Sequence, residues 1–587
     1  MKIIGISGFE NSTSFKKNCW PGLDEREYRI SQGHDSAAAL IVNGTIVAAV
    51  AEERFNRKKH CGDFPANAIR YCLAEAGLSF VEVDELVHGF DYTPFKKLYS
   101  LNVTPKDPYQ EVYSQEALLA LVNRDFPTYP FERVHNVQHH LAHAASAYFT
   151  SGWEECLTVV IDGMGEAYSV TIYHAHGGKL DMVYQIPTVD SIGILYSLVT
   201  LHLGFDFNAD EYKIMGLAPY GNAERFRSFF NNVVEQRDQG TIRIPILRLN
   251  RTREDREFLR VTRSYLAQHL IEERHPDAEI TEIHKDVAAS LQECLDRVML
   301  HICGYWGKKL GLRKLALAGG VALNCTANGK LLRSELFDEI YIQPAAGDDG
   351  TALGAALYRS ALAGEVINRR QSVPFLGPTY STEAINMACT EYREQIEVVR
   401  FPTLEETCAK AAYLIASGKV VAWYRGRMEY GPRALGHRSI LADPSHPNMR
   451  ERINSMVKMR EAFRPFAPAV SLAHVHQWFD VPPGTELPYM IMIVNVKAEH
   501  RATLPAVTHV DGSARVQTVS AKDNPEFHAL LQAVGKATGR EMVLNTSFNI
   551  KGQPIVNTPQ EAIQTFLHTG IEYLFLENSL VKRKGDR

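Results

Sequence analysis

The strongest constraint on the fold is a repeated order of predicted elements: a short apolar strand, a turn of small residues and a strand hairpin. The first copy begins with K-I-I-G-I-S-G at 2–8. Its hairpin strands are D-S-A-A-A-L-I-V at 35–42 and T-I-V-A-A-V-A-E-E at 45–53, joined by Asn43-Gly44. Asn-Gly is the strongest two-residue signal for a β-hairpin. The polar, charged stretch 9–33 is predicted to be an inserted surface loop.

The second copy begins with the buried strand C-L-T-V-V-I-D-G-M-G-E at 156–166. Hairpin strands follow at 168–175 and 179–186, around Gly177-Gly178. The repeat lies in the pattern and not in residue identity. It predicts an α/β core of two similar halves that face a cleft.

Two later stretches pass from a strand through a glycine turn into a helix. They are K-L-A-L-A-G-G-V-A-L-N at 314–324, which follows a helical stretch at 285–312, and I-Y-I-Q-P-A-A-G-D-D-G-T-A-L-G-A-A at 340–356. Such turns direct backbone N–H groups and a positive helix end toward a cleft, where phosphate binds readily. The texture changes to Pro, Gly and polar residues around 364–400, which predicts a crossing between domains. A further α/β stretch of about 190 residues follows.

Length and composition exclude several classes of protein. With 587 residues the chain predicts two or more domains, and its 45% apolar and 22% charged residues are ordinary for a globular protein. A net charge of −5 argues weakly against a protein that mainly binds nucleic-acid backbone. No signal peptide or membrane-length apolar run is present. Nine scattered cysteines without a CxxC argue against a disulfide frame and favour the cytoplasm.

Four histidines fall within the nine residues 135–143 of H-N-V-Q-H-H-L-A-H-A-A-S-A-Y-F. On a helix, His139 and His143 share a face while His140 is turned by roughly 100°. Two imidazoles at this spacing can both reach one divalent ion. A pair of ordinary helix histidines is the simpler interpretation, unless carboxylates elsewhere can complete the shell.

Two aspartates are candidates for that shell. Asp162 follows a buried strand in V-V-I-D-G, and Asp348 stands in the glycine turn G-D-D-G-T. Both positions lie where strands deliver side chains to the mouth of a cleft. Each could also be a turn residue bonded to nearby backbone. Two imidazoles with two carboxylates suit Fe²⁺, Mn²⁺ or Zn²⁺.

Cationic residues concentrate in the second half of the chain. V-V-A-W-Y-R-G-R-M-E-Y-G-P-R-A-L-G-H-R-S-I at 420–440 and M-V-K-M-R-E-A-F-R-P-F-A-P at 456–468 are rich in arginine, and A-R-V-Q-T-V and V-L-N-T-S-F-N follow. Guanidinium, ammonium and hydroxyl donors suit a small dianion. A solvated basic face or an RNA-phosphate surface are the alternatives, although no aromatic platform or basic tail accompanies the arginines.

These motifs resemble the sugar-kinase/actin/Hsp70 type of ATPase core, in its tRNA-threonylcarbamoylation (Kae-type) branch. The motifs are H-H-L-A-H, I-D-G-M-G-E, E-Y-K-I-M-G-L-A-P-Y-G at 211–221, A-G-G-V-A-L-N-C and G-D-D-G-T-A-L-G-A-A. Over nearly the whole chain the sequence is most similar to O-carbamoyltransferases of the nodulation/cephamycin/nebramycin family. The resemblance implies a duplicated Kae-like carbamoyl-transfer domain at 1–370, a linker at 371–395 and an α/β YrdC-like domain at 396–587. The insertion at 9–33 departs from the compact N-terminus of the family.

The resemblance also implies which residues form the sites. The expected metal ligands, with Fe²⁺ as the usual ion, are His139, His143, Asp162 and Asp348. The expected ligands of nucleotide, Mg²⁺ or carbamoyl phosphate are Gly163, Gly165, Lys213, Gly319, Gly320, Asn324, Gly347, Asp349, Arg433, Arg438 and Asn545. The expected catalytic residues from the motifs are Lys458, Arg464, Arg515 and Ser547, with Arg460 and Glu211 as weaker candidates. His34 is added on its own chemistry, as a base for the acceptor or an anchor for the intermediate.

The implied chemistry has two steps. The second domain would join carbamate from carbamoyl phosphate to ATP, giving carbamoyl-adenylate and pyrophosphate. The first domain would transfer the carbamoyl group to a hydroxyl of a small molecule, with His34 of G-H-D-S as the predicted base; a turn histidine is the alternative. No nucleic-acid or membrane partner is expected, and the acceptor and oligomeric state cannot be read from the sequence.

Three other functions fit part of the pattern. A tRNA threonylcarbamoylation fusion would share both domains but should bind tRNA. A small-molecule kinase would need neither the second domain nor the HxxxH, and an actin-like or chaperone-like ATP switch would need no carbamoyl phosphate pocket.

Overall fold

The structure is a computed structural model that describes residues 1–99, 107–369, 374–458, 461 and 463–585, with only the main chain of Lys458. It divides into two compact units: residues 1–56 with 60–371, and residues 57–59 with 372–587. The side chain of Lys458, the whole of Arg460 and residues 371–373 of the predicted linker lie outside the described residues. Among the helices described, none is long and apolar enough to cross a membrane.

The strands of the first unit follow the two predicted copies. They are β1 (Lys2–Ser7), β2 (Ala37–Val42), β3 (Thr45–Ala51), β4 (Glu85–His88), β5 (Val134–Asn136), β6 (Glu155–Ile161), β7 (Tyr168–His176), β8 (Lys179–Pro187), β9 (Glu235–Arg237), β10 (Thr241–Arg243), β11 (Lys314–Ala318) and β12 (Glu339–Ile342). The hairpin turn between β2 and β3 is formed by Asn43 and Gly44, both with positive φ. This is the backbone that an Asn-Gly turn favours.

The helices of the first unit lie between and after these strands. They are α1 (Glu10–Cys19), α2 (Glu25–Tyr28), α3 (Glu53–Asn56), α4 (Ala66–Ala76), α5 (Lys96–Tyr99), α6 (Gln115–Asp125), α7 (His139–Thr150), α8 (Ile192–His202), α9 (Glu211–Leu217), α10 (Glu224–Val233), α11 (Arg253–Phe258), α12 (Arg260–His269), α13 (Glu282–Leu310), α14 (Cys325–Arg333) and α15 (Asp349–Leu362).

The two five-stranded sheets of this unit have the same topology. The first has the order β3-β2-β1-β4-β5, and the second has β8-β7-β6-β11-β12. In each, an antiparallel hairpin pairs with one edge of the first strand. A parallel strand pairs with its other edge, and a second parallel strand pairs with that one. The predicted α/β class and the duplication, as implied for a sugar-kinase/actin/Hsp70-type core, are therefore confirmed.

The prediction of a surface loop at 9–33 is wrong, because this segment contains the helices α1 and α2. The sequence of α1, E-N-S-T-S-F-K-K-N-C, has few strong helix formers, so packing decides its conformation. The buried Lys16 ammonium donates to the carbonyls of Ile30 (2.5 Å) and Glu257 (2.9 Å). Asp24 caps α2 in a capping box with Glu27, a local signal that the sequence does carry.

The second unit is built on an eight-stranded mixed sheet, with the order β13-β23-β22-β14-β15-β21-β16-β20, and on a three-stranded sheet, β17-β18-β19. Its strands are β13 (Ile396–Arg400), β14 (Val421–Tyr424), β15 (Arg438–Ala442), β16 (Ala467–Ser471), β17 (Phe479–Asp480), β18 (Ile493–Val496), β19 (Ser513–Arg515), β20 (Gln517–Val519), β21 (Met542–Ser547), β22 (Tyr573–Leu576) and β23 (Ser579–Arg583).

The helices of the second unit are α16 (Thr382–Glu391), α17 (Leu404–Ala416), α18 (Met449–Ile453), α19 (Val475–Trp478), α20 (Pro525–Thr538) and α21 (Pro559–Leu567). Helices α17 and α20 cover the large sheet with apolar residues such as Ile415, Phe527 and Leu530. Helix α16 occupies part of the stretch predicted as a linker, and it belongs to the second unit.

Helix α15 joins the two halves of the first unit through close contacts at glycine. A Cβ on Gly5 of β1 would lie 1.9 Å from the carbonyl oxygen of Ala352, and one on Gly354 would lie 1.8 Å from that of Ala142 in α7. Only glycine leaves room for backbone to approach this closely. Since His139 and His143 lie on α7 and Asp348 directly precedes α15, this packing fixes the relative positions of these three residues.

We therefore expect Gly354→Ala to destabilise the first unit by at least about 2 kcal/mol, because the backbone oxygen of Ala142 cannot move aside. The measurement is a shift of its unfolding midpoint in urea. The control is Gly304→Ala in α13, where the new Cβ would meet only the end of the Leu336 side chain at 3.1 Å. There the better helix propensity of alanine should keep the change within about 1 kcal/mol of zero. Equal effects of the two substitutions would contradict this account.

Candidate functional site

The two predicted histidines and two predicted aspartates meet in the first unit. The Nε2 atom of His139 lies 3.1 Å from that of His143, 3.5 Å from Oδ2 of Asp162 and 3.4 Å from Oδ1 of Asp348. One ligand atom from each residue lies within 4.8 Å of every other. Atoms bound about 2.1 Å from one tetrahedral ion lie about 3.4 Å apart. The spacing and the donor types therefore fit a single divalent metal.

Each member of this group comes from a strand end or from the helix after one. Asp162 directly follows β6, helix α7 starts just beyond β5, and Asp348 stands between β12 and α15. The side chains thus collect beyond the carboxyl ends of the parallel strands, where open α/β sheets bind ligands. His140 points elsewhere, as its position on the helix predicts: its Nδ1 contacts the Thr171 hydroxyl at 2.7 Å.

The imidazole of His139 is held from two sides. Its Nδ1 lies 3.0 Å from the carbonyl oxygen of Gly89, and the ring stacks on Phe90 with the centroids 3.7 Å apart. A carbonyl accepts only from a protonated nitrogen, so Nε2 is the atom presented to the group. Both His139 and His143 are fully buried.

Electrostatics in the group are dominated by the paired carboxylates. Burial disfavours the imidazolium of His139, but Asp348 and Asp162 outweigh it and raise the pKa of His139 to about 10. Burial and the charge of His139 together lower the pKa of His143. The pKa of Asp348 and of Asp162 is lowered, since the imidazoles overcome the cost of burying each charge. The carboxylates of buried Asp162 and of Asp348, whose side chain is 24% exposed, therefore require a positive charge here.

The predicted glycine turns border this group. Gly319 has a φ of 93° and leaves no room for a side chain beside Ile161, while the N–H of Gly320 donates to Oδ1 of Asp162 at 2.9 Å. Gly347 directly precedes Asp348. Burial, followed by the charge of Asp35, raises the pKa of Asp349 to about 7.

The other predicted nucleotide residues of the first unit vary in setting. Asn324 caps α14 by accepting from the N–H of Ala327 and also exchanges hydrogen bonds with Gln292. A Cβ on Gly163 would meet open space, whereas one on Gly165 would lie 2.9 Å from the ring of His140. Lys213 is ion-paired with Asp210 at 2.8 Å. The carboxylate of Glu211 accepts from Ser197 at 2.6 Å.

His34 lies in the turn before β2, with Nε2 3.2 Å from the Ser31 hydroxyl. Burial and the nearby Arg29 lower its pKa to about 4, although the charges of Asp35 and Asp348 act in the opposite direction. The ring is therefore neutral near pH 7. It lies close enough to Asp348 for the charge of that carboxylate to affect its pKa. A second group of possible ligands, Asp35, Glu53 and His60, adjoins it.

In the second unit, Arg438 does not present its guanidinium to a cleft. The side chain is fully buried and its Nη1 donates to the carbonyls of Arg425, Gly426 and His437 at 2.9–3.0 Å. Its Nη2 donates to the Pro378 carbonyl, and the guanidinium lies 3.6 Å from the centroid of Tyr424. In this structure Arg438 holds the chain around it, and its expected role as a ligand-binding arginine stays a prediction.

The other predicted residues of this unit lie on or near the same sheet. Asn545 on β21 donates to Gln517 at 2.8 Å and to the carbonyl of Ala434 at 3.3 Å. The Ser547 hydroxyl donates to Asn549 at 2.6 Å. Arg464 lies 3.6 Å from Glu461. Arg433 lies in the loop between β14 and β15, and Arg515 ends β19.

Comparison with known proteins identifies the chain. The family described as "Carbamoyltransferase N-terminus" matches residues 28–357, and "Carbamoyltransferase C-terminus" matches residues 412–583. The chain belongs to the carbamoyltransferase family. It is 39% identical to nodulation protein NolNO of Sinorhizobium fredii, over 94% of this chain and 79% of that protein. It is 40% identical to nodulation protein NolO of Bradyrhizobium diazoefficiens, over 76% and 79% of the two chains.

Another relative of this carbamoyltransferase, an uncharacterised protein sll1178 of Synechocystis, is 38% identical over 94% of this chain and 95% of that protein. Among solved structures, a ROK hexokinase from Thermus thermophilus covers 62% of this chain at 14% identity with a TM-score of 0.28. A likeness this low carries no argument about the enzyme.

Sequence reasoning missed residues that hold the predicted site residues of each unit in place. Glu429 accepts from the N–H groups of Leu435, His437 and Arg438, and so fixes the loop of G-P-R-A-L-G-H-R. In the first unit, Phe90 and Glu166 support His139. Glu166 is the last residue of the motif I-D-G-M-G-E, so the motif itself could have drawn attention to it. Its partners are backbone N–H groups, however, and no sequence spacing between side chains marks such a contact.

We expect Arg438→Met to destabilise the second unit by at least about 3 kcal/mol without any ligand, because four backbone carbonyls each lose a hydrogen bond from the buried guanidinium. The measurement is urea unfolding of the full chain. The control is Arg393→Met, whose side chain is 73% exposed and should change stability by no more than about 0.5 kcal/mol. Unchanged stability of Arg438→Met with loss of ATP binding would restore the ligand role.

Proposed function

We propose that this carbamoyltransferase forms carbamoyl-adenylate from carbamoyl phosphate and ATP, and transfers its carbamoyl group to a hydroxyl of a small molecule. The observation that carries the proposal is the four-residue group of His139, His143, Asp162 and Asp348, in a chain that matches both carbamoyltransferase families. Adenylate formation is assigned to the second unit, from 396 to 587, and transfer to the first, from 1 to 370.

In the first step, water cleaves carbamoyl phosphate to carbamate and phosphate. A carbamate oxygen then attacks the α-phosphate of ATP and breaks its bond to the β-phosphate. The products are carbamoyl-adenylate and pyrophosphate. Arg433, Arg464, Arg515 and Lys458 are proposed to neutralise the phosphates, with Ser547 and Asn545 as neutral donors. Burial lowers the pKa of His509, and Arg450 and Arg515 act in the same direction against the charge of Asp511, so both arginines lie near this imidazole.

In the second step, the acceptor hydroxyl attacks the carbamoyl carbon, its C–O bond to the adenylate breaks and AMP leaves. A divalent metal held by the four ligands, Fe²⁺ in our proposal, would act as a Lewis acid on the carbamoyl or phosphate oxygens. In the glycine turns, Gly163 and Gly347 would direct their N–H groups toward the adenylate. The N–H groups of Gly165, Gly319 and Gly320 bond within the protein, so these glycines would shape the turns around it. Lys213, Asn324 and Asp349 would lie beside the adenylate, with Mg²⁺ accompanying ATP. His34, neutral near pH 7, would accept the hydroxyl proton.

One assay tests the whole proposal. The protein is mixed with ATP, carbamoyl phosphate and Fe²⁺ or Mn²⁺, and pyrophosphate and carbamoyl-adenylate are measured. We expect both products in equal amounts and only when carbamoyl phosphate is present. Phosphate transfer from ATP to a sugar without pyrophosphate would indicate a kinase, and transfer only to tRNA would indicate an RNA-modifying enzyme.

The two steps should separate by substitution. We expect Arg515→Ala and Ser547→Ala to reduce adenylate formation by at least about 10-fold, because each removes a donor to a small anion. Transfer from supplied carbamoyl-adenylate should continue at the wild-type rate. The control, Arg393→Ala, removes an exposed arginine of the same unit and should leave both steps unchanged. If transfer fails while adenylate still forms, the assignment of steps to units is reversed.

His34→Asn should lower carbamoyl transfer by at least about 10²-fold and leave adenylate synthesis intact, because the hydroxyl loses its base. A base must be unprotonated, so the wild-type rate should stay flat from pH 8 to pH 5.5 and fall only near pH 4, the pKa of His34. The measurement is single-turnover transfer to an alcohol selected from a panel of sugars and polyols. The control is His275→Asn, at a 75% exposed side chain. Near wild-type transfer by His34→Asn would show that His34 is only a turn residue.

A further inference from the structure

The buried carboxylate of Glu166 joins two backbone segments at one oxygen. Its Oε1 accepts from the N–H of Asp91 and from the N–H of His139, both at 2.8 Å. Glu166 is only 5% exposed, so these bonds replace its contact with water. Burial raises the pKa of Glu166, but the oxygen accepts from both N–H groups whether or not the carboxyl is ionised. Removing the acceptor leaves two buried donors without this partner.

One of these bonds fixes the start of α7. The helix begins at His139, and the side chain of its N-cap residue, Gln138, makes no capping hydrogen bond. The first N–H groups of a helix need a partner outside the helix, and a negative charge at this end is favourable. Glu166, which follows β6, supplies the partner for the first of these N–H groups. The backbone of His139 is thus held by the carboxylate of Glu166.

The other bond fixes the segment that holds the His139 ring. Asp91 follows Gly89, whose carbonyl accepts from Nδ1 of His139, and Phe90, whose ring stacks on the imidazole. The hydroxyl of Tyr99 in turn donates to the main-chain oxygen of Glu166 at 2.8 Å. One carboxylate oxygen therefore ties the backbone of His139 to the backbone of the residues that orient its ring.

We propose that Glu166 is a positioning residue for the metal centre: by bonding to both segments it sets the direction of Nε2 of His139. The inference rests on the proposed metal centre, since it concerns affinity for an ion at the four ligands. Partners behind metal ligands typically change metal affinity by about 10–100-fold when they are removed. Glu166 itself contributes no ligand atom to the group.

The test is the affinity of the full-length protein for Co²⁺, a spectroscopic probe, measured by visible absorption during titration. Glu166→Ala and Glu166→Asp should weaken Co²⁺ binding by at least about 10-fold. Glu166→Asp keeps the charge but withdraws the oxygen by one methylene, so it remains informative if Glu166→Ala does not fold. Glu166→Gln keeps an acceptor oxygen and should stay within about threefold of the wild type.

A matched control is Glu52→Ala. Glu52 is also buried at 2% exposure, and its carboxylate accepts from the N–H of Ala68 in the first turn of α4 and from Asn67. Its loss should lower the melting temperature while Co²⁺ affinity stays unchanged. This separates a general loss of stability from a specific effect on the metal centre.

The reference is His139→Ala, which should remove one bound Co²⁺ per protein, whether or not the separate group of Asp35, Glu53 and His60 also binds the ion. If wild type and His139→Ala bind Co²⁺ equally, the proposed metal centre falls. If the wild type binds and Glu166→Asp binds with the same affinity, the proposed metal centre stands and the positioning role of Glu166 is overturned. If Glu52→Ala weakens Co²⁺ binding as much as Glu166→Asp does, the effect is one of stability and the inference is also overturned.

Discussion

The first unit depends on an electrostatic constraint: the carboxylates of Asp162 and Asp348 converge beside two fully buried histidines, where positive charge must offset their repulsion and their loss of contact with water. His139 supplies that charge by holding a proton to a pKa of about 10. A divalent ion would replace this proton and neutralise both carboxylates at once, which is the physical content of the proposed metal centre. The close packing of α15 against β1 and α7 keeps the charges together, since any separation of these elements would also separate the ligands.

The two units use positive charge in different ways. In the first, buried charges face one another within 4.8 Å across strand ends. In the second, Arg438 donates hydrogen bonds to four backbone carbonyls and lies over the ring of Tyr424, and Glu429 accepts from three N–H groups. These bonds fix the loop that carries Arg433. The arginines of one motif therefore divide into one that builds the loop and one that the loop can present to an anion.

Much of the first unit could be predicted because its signals are local. Asn43-Gly44 makes its hairpin turn, and the i, i+4 spacing of His139 and His143 sets their shared face. Strand-end positions suffice to place Asp162 and Asp348 near one edge of a sheet. The roles of Arg438 and Glu166 could not be predicted, because they depend on which backbone carbonyl or N–H lies opposite, and that is set by long-range packing.

The conformation of segment 9–33 also depends on long-range packing, which the sequence does not reveal. Its helices are held by contacts with backbone on both sides of the first unit: Lys16 donates to the carbonyl of Glu257, and Gln32 donates to the carbonyls of Met164 and Gly165. Carbonyls do not depend on the identity of their side chains, so such a segment stays anchored when the surfaces around it change. Gln32 also lies two residues before His34 and bonds the turn that follows Asp162. Arg29 adds two more such bonds by donating to the carbonyls of Phe207 and Asn208. The segment is thus tied to the neighbourhood of the proposed metal centre by bonds to main-chain atoms, so its conformation depends on long-range packing and not on local helix signals.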